Sequence, residues 1–256
     1  MIRGLYTACA GMLAQLGRQD VIANNIANVN STGYKRDVAV CESFPQMLMQ
    51  RMGELETAGE QVKPLSPQPI GTVGTGAVIA QIATDYSAGN LQKTENSLDL
   101  AIAGEGYFVV QTPQGERYTR DGAFKLSDEG VLITSQGYAV LGRDGPIRAQ
   151  GGNLVVDENG NILEGGEMVD TLRVVGFDDQ AMLVKTGDNL FNSDNGAARD
   201  IPQPRVLQGY LESSNVNAVK EMVELINVVR AYEANQKVIQ AHDQMLDAAV
   251  NRVGSV

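Results

Sequence analysis

From Ile2 onward, Leu5, Cys9, Met12, Leu16, Gln19, Ala23 and Ile26 recur at alternating spacings of three and four residues. That rhythm is the a/d seam of a helix that packs lengthwise on another helix. It predicts a helix over residues 2–29, about 42 Å long at ~1.5 Å per residue, with Gly33 as the stop. At the other end, Asn217 caps a predicted helix that runs without Gly or Pro from Ala218 to Val253, about 54 Å in length. Its seam reads Met222, Leu225, Val229, Tyr232, Gln236, Ile239, Asp243, Leu246, Val250 and Val253. A second stripe of Val219, Val223, Ile226, Val238, Met245 and Ala249 makes the apolar face wider than a two-stranded seam requires.

Between the helices the period changes. The stretch "SLDLAIAGEGYFVVQTPQGERYTRDGAFKLSDEGVLITSQGYAVLG" consists of short β-branched or alternating runs separated by turn dipeptides, among them Gln114-Gly115, Asp121-Gly122, Glu129-Gly130 and Gln136-Gly137. The pattern continues through Asp144-Gly145 and Asn159-Gly160 to "VLQGYLESS". Residues 37–80 fit neither pattern: "ESFPQMLMQRM" reads as a helical turn or two and "KPLSPQPIGTVGTG" as extended chain, together a connector. The expected fold class is α+β. Long N- and C-terminal helices pack as a coiled-coil-like unit (1–36 and 214–256), followed outward by an extended connector (37–80) and an inserted all-β domain (81–213).

Four asparagines, Asn24, Asn25, Asn28 and Asn30, crowd the end of the first helix, although asparagine favours caps and turns over helix interiors. An amide both donates and accepts, so it specifies register at a helix contact without burying charge. Asn24 and Asn25 are read that way. Asn28 and Asn30 fit equally a fraying, capped helix end. Tyr34, Lys35 and Arg36 either anchor the chain as it leaves the helix or form a solvated exit strand.

Composition narrows the function classes. A formal charge of −11 over 256 residues, with no basic run, argues against nucleic acid as a partner. No stretch approaches the ~18 apolar residues of a membrane span, and the N-terminus lacks the apolar run of a cleaved signal peptide. The expectation is therefore no membrane insertion and no cleaved signal. Cys9 lies on an apolar stripe, and it and Cys41 are read as unbridged.

No catalytic, cofactor-binding or metal residue is nominated. His242, the single histidine, has Asp243 beside it in sequence, but helical neighbours do not face one another. "DENGNILEGGEM" (157–168) has Gly at the fourth rather than the sixth position of a calcium loop and no closing Glu, so it reads as a turn. "GTVGTG" (71–76) lacks the context of a phosphate loop. In "YTRDGAF", Asp121-Gly122 reads first as a hairpin turn. Glycan cleavage needs two placed carboxylates and sugar-stacking aromatics; the chain has no Trp and offers no such pair. A secreted adhesin with a helical stalk is a further alternative.

Apolar surface left over on two helices is costly in a solitary soluble chain, and identical copies meeting head to tail close into rings or grow into helical filaments. The residues also carry a resemblance. "VIANNIANVNSTGYKR", "SSNVNAVKEMVELINVVRAYEANQKVIQAHDQML" and the central β stretch resemble, in the right order, the signatures of the bacterial flagellar rod and hook family. Within it, "MIRGLYTACAGMLAQL" and a single modest β region are most similar to the β-bearing rod subunits, with a hook-type subunit as the alternative.

The resemblance implies a non-enzymatic homo-oligomer in a helical tube that transmits torque, located in the basal-body rod across the periplasm. It also implies export by the flagellar export apparatus, and as partners other rod and hook subunits and the rod-surrounding ring proteins. The residues expected at the self-assembly interface are Leu5, Met12, Leu16, Asn24, Asn25, Ile26, Asn28, Tyr34, Met222, Leu225, Val229, Tyr232, Asn235, Ile239 and Leu246.

Overall fold

In a computed structural model of the chain, residues 2–44, 47–51, 55–58, 61–64, 68–74, 76–149, 154–193 and 198–253 are described. The first helix, α1, spans Ile2–Ala27 and the last, α2, spans Ala218–Ala248, continued by a π-helical turn at Ala249–Val253. Asn217 caps α2 as expected: its Oδ1 accepts from the Lys220 N–H at 3.1 Å, and its carbonyl accepts from the Glu221 N–H at 3.0 Å. Helix α1 ends two residues earlier than expected. There Asn28 turns its amide back onto Asn24, donating to the carbonyl at 2.9 Å and to Oδ1 at 2.8 Å, which satisfies a carbonyl that the ending helix would leave open. With a β-rich region between long terminal helices, the fold is α+β.

The chain divides into two compact units. One, the helical unit, comprises Met1–Ala23, Val38–Ala83 and Met222–Val256; the other, the body, comprises Asn24–Asp37 and Thr84–Glu221.

In the helical unit, the segment read as a connector is paired β structure. Asp37–Ser43 pairs with Ala77–Thr84, Met47–Arg51 with Gln68–Val73, and Leu55–Ala58 with Gln61–Pro64, three two-stranded ribbons nested in sequence. Met47–Arg51, read as helical, is a strand, since its ladder partner lies some twenty residues on and is invisible to local pattern. The chain around Gly76 and Ile79 lies close against α1: a Cβ added at Gly17 would collide with Ile79 Cδ1, and one added at Gly76 would lie 2.7 Å from Ala10 Cβ.

The body is built around Tyr107–Thr112, a strand buried on both faces. Its neighbours in a nine-stranded antiparallel sheet are Gly115–Thr119, Ala139–Val140 and Val174–Gly176. Phe108 and Val110 enter one core with Leu100, Phe124, Leu132, Ile147, Ile162 and Val206. Tyr107 and Val109 enter a second with Leu141, Val175, Leu183 and Phe191. That two-sided burial explains a run of apolar residues where a half-exposed strand would alternate. A three-stranded sheet of Leu154–Val156, Asn161–Glu164 and Glu167–Thr171 adds Leu154, Val156 and Ile162 to the first core. Its edge is closed by one side chain: Gln208 accepts from the Val156 N–H at 3.2 Å and donates to the Leu154 carbonyl at 2.7 Å, as an added strand would.

Asp121-Gly122 does not form the expected hairpin. Gly122 abuts the Leu100 carbonyl, where no Cβ fits. Asp121 accepts from Thr32 Oγ1 at 2.5 Å and from the Ala123 N–H at 3.1 Å. Burial pushes its carboxyl up from the ordinary range, against those two hydrogen bonds.

Candidate assembly site

Along α1 the faces differ in kind. Gly4, Gly11 and Arg18, seven residues apart, meet α2: a Cβ at Gly4 would lie 2.7 Å from His242 Nε2, and one at Gly11 would lie 3.1 Å from Asn235 Nδ2. Arg18 donates to Glu224 Oε1, a pair exposed enough to contribute little. The face turned outward carries Tyr6 and Leu13, 69% and 65% exposed, with Leu16 and Cys9. On α2, Val219, Met222, Val223, Ile226, Val238 and Met245 are exposed, as is Val250 in the π-helical turn, whereas Val228 is buried at 1%.

The expected seams are therefore displaced. Cys9, Leu16, Gln236 and Asp243 face solvent, while the positions just before them, Ala8, Gln15, Asn235 and His242, are buried or half-buried. Among the expected interface residues, Leu16, Asn24, Met222 and Leu246 are exposed. Leu5, Met12, Ile26, Asn28, Leu225, Val229, Tyr232, Asn235 and Ile239 are half-buried. Asn25 and Tyr34 are buried inside their own chain.

Asn25 is the centre of a polar knot in the body. Its amide meets the backbone of one residue both ways, donating to the Asp37 carbonyl at 2.8 Å and accepting from the Asp37 N–H at 2.9 Å. It also accepts from Tyr34 Oη at 3.2 Å and donates to Glu221 Oε2 at 3.4 Å. Arg36 reaches Glu221 Oε1 at 3.2 Å, and its backbone N–H donates to Asn215 Oδ1 at 2.7 Å. Lys185 bonds Asp37 Oδ1 at 2.8 Å and lies over the Tyr34 ring at 4.4 Å. The asparagine expected at an intermolecular contact thus ties the last turn of α1 to the start of α2.

Beside the knot lies a buried ion cluster that sequence reasoning missed. Lys35, 1% exposed, donates to Glu212 Oε1 at 2.6 Å and to the Ser87 carbonyl at 2.8 Å. Glu212 Oε1 also accepts from the Gly89 N–H at 2.9 Å, and its Oε2 faces Arg120 Nε at 3.5 Å. Arg120 donates to the carbonyls of Ile102 and Gly104. Burial pulls the Lys35 ammonium below its ordinary pKa, and the Glu212 carboxylate opposes that pull. The segment read as a choice between anchor and solvated strand is an anchor; the only sequence signal is adjacency to a Gly33 with φ +65°, whose N–H donates to the Glu212 carbonyl at 2.8 Å.

Burial first, then the negative charges of Asp37 and Glu221, push the Tyr34 hydroxyl up to about 12. The unfolded phenol ionises near pH 10, so the contribution of this group is complete below pH 10 and is lost as pH rises toward 12. Alkaline titration of the chain should show cooperative loss of the body's near-ultraviolet dichroism in that window. Tyr34→Phe should move the midpoint to higher pH; an unmoved midpoint would assign the transition to Tyr86, Tyr107 or Tyr118, which burial also raises.

Among the described residues no group of three or more His, Cys, Asp or Glu side chains is placed to hold a metal ion, and no helix is long and apolar enough to cross a membrane. What the geometry offers is surface: large apolar side chains on outward helix faces. Three family descriptions match in order: "Flagella basal body rod protein" over residues 5–35, "Flagellar hook protein FlgE/F/G D1 domain" over 101–164, and "Flagellar basal body rod FlgEFG protein C-terminal" over 207–252. The chain is 36% identical to the flagellar basal-body rod protein FlgG of Borreliella burgdorferi, over 98% of each chain. The chain belongs to the flagellar basal-body rod family.

Other members of the rod family agree. The chain is 33% identical to the rod protein FlgF of Caulobacter vibrioides over the full length of both, and 34% identical to FlgG of Bacillus subtilis over 98% of this chain and 99% of that one. The N-terminal match covers most of α1 and runs through the knot to Lys35; the C-terminal match covers Glu212 and almost all of α2. Both ends of the buried ion pair therefore fall within the rod-family segments. The rod-family chain is a structural subunit and not an enzyme.

Proposed function

We propose that the chain polymerises through its two terminal helices, packed as a coiled-coil-like pair, into the hollow rod of the flagellar basal body. In this reading it serves the distal part of the shaft, transmits torque toward the hook and meets other rod and hook subunits, the export apparatus and the surrounding rings. The observation that carries the reading is the placement of large apolar side chains. Tyr6, Leu13, Val219 and Ile226 are exposed large hydrophobics, while Gly4 meets His242, Gly11 meets Asn235 and Arg18 meets Glu224 between α1 and α2. Solitary soluble chains do not leave helical stripes of that kind open.

Charge distribution agrees. Residues 84–221 hold 21 acidic and 11 basic residues of a chain whose formal charge is −11, so the rest of the chain, with both helices, is nearly neutral. Neutral helices stack without mutual repulsion, and a charged body stays solvated. FlgG relatives at 33–36% identity over nearly the whole chain support the distal position.

Electron microscopy of the concentrated chain is the test. Tubes should form above a threshold concentration, and the tagged chain should co-purify with basal bodies from motile cells. A chain that stays monomeric at high concentration and is missing from isolated basal bodies would overturn the proposal.

A further inference from the structure

His242 and Asn235 are half-buried polar residues on a helix otherwise rich in exposed apolar ones, and neither belongs to the knot. Each sits against a glycine of α1, at Gly4 and Gly11 respectively, with ring or amide atoms so near that a Cβ on the glycine would lie 2.7 Å from the first and 3.1 Å from the second. Glycine is a poor helix residue, and one held in a helix generally marks a close approach. Both contacts repeat after seven residues on each strand of the pair, Gly4 to Gly11 and Asn235 to His242, and they run in opposite directions. The His242 Nδ1 is buried with no hydrogen-bond partner among the described residues, so shape seats the ring.

We infer that Gly4 and Gly11 are notches and His242 and Asn235 the keys that set the register of α1 against α2. The alternative register is one step away on both helices: Leu5 and Met12 follow the notches, and Gln236 and Asp243 follow the keys. A one-residue rotation is about 100° on a helix. It would turn Cys9 and Leu16, which now face solvent, toward α2, and would bury Gln236 and Asp243. The keys hold the pair in a register that leaves Leu16 free and keeps Asp243 in solvent. This goes beyond the polymerisation reading, since register is a property of the single chain and is tested in dilute solution.

The experiment uses the full chain with Cys9→Ser and Cys41→Ser, and reporter cysteines at Arg18 and Glu224, joined by a short bis-maleimide. The parent should cross-link efficiently. Filling both notches, Gly4→Leu with Gly11→Leu, should lower the yield about tenfold or more, as overpacking displaces a close contact. Leu13→Ala, on the outward face, should leave the yield unchanged. Transposing one key, Gly4→His with His242→Gly, should restore cross-linking relative to Gly4→His alone, which separates loss of register from loss of folding. Undiminished cross-linking in the filled variant, an equal loss with Leu13→Ala, or a transposed pair no better than Gly4→His alone would each overturn the inference.

Discussion

Lys35→Met will destabilise the body by ~3–5 kcal/mol, the usual cost of removing one partner from a buried ion pair. The Glu212 carboxylate is left with the Gly89 N–H at 2.9 Å and a guanidinium at 3.5 Å, with almost no water to replace the ammonium. With a urea dependence of about 2 kcal/mol per molar, the midpoint followed by near-ultraviolet dichroism should fall by roughly 2 M. Glu212→Leu alone should cost a similar amount, because it strands Lys35. The pair Lys35→Met with Glu212→Leu should recover most of the loss, though not all, since Arg120 then loses its carboxylate and keeps the carbonyls of Ile102 and Gly104 and the Tyr107 ring. Single variants that cost under about 1 kcal/mol would mean that water reaches the cluster.

Leu13→Asp and Ile226→Asp should each abolish tube formation while leaving the melting of the dilute chain unchanged within ~0.5 kcal/mol, the usual range for surface substitutions. Both side chains are exposed, so a charge there costs nothing until a neighbouring copy must cover it. Val228→Asp is the contrasting case. With 1% of its surface exposed, Val228 lies inside a single chain, and the substitution should loosen the helices before any copy arrives. Sedimentation and electron microscopy read the first effect, thermal dichroism the second. Tubes formed normally by Leu13→Asp and Ile226→Asp would show that these faces stay open to solvent in the polymer.

Helix ends were legible in the chain because capping is local: Asn217 bonds a residue three positions away. The helix faces were not, and the reason is physical. A hydrophobic pattern marks what is buried somewhere, not what is buried first. On α1 the pattern Leu5, Cys9, Met12, Leu16 follows size, whereas the helix pair is made where residues are small enough for close approach, at Gly4 and Gly11. Two sets of contacts share one helix, and periodicity cannot divide them.

Long separation hid the rest. Lys35 and Glu212 stand 177 residues apart, so nothing near Lys35 announces a carboxylate. The turn at Asp188 and Asn189, both with positive φ (51° and 56°), joins paired strands as an Asp-Asn hairpin that a Gly-centred search passes over. Asp121-Gly122 errs in the other direction, because its glycine answers to the Leu100 carbonyl rather than to a reversal. In residues 37–80 the Pro and Gly punctuation of the sequence signals extended chain, but strand pairing there is a property of two segments at once.

The amide of Gln208, lying along Leu154–Val156, bears on how a cell can stockpile this molecule. An open ladder invites any passing extended chain to add on, the first step toward disordered precipitate. With that margin occupied from within, one subunit offers another no backbone to zip onto there.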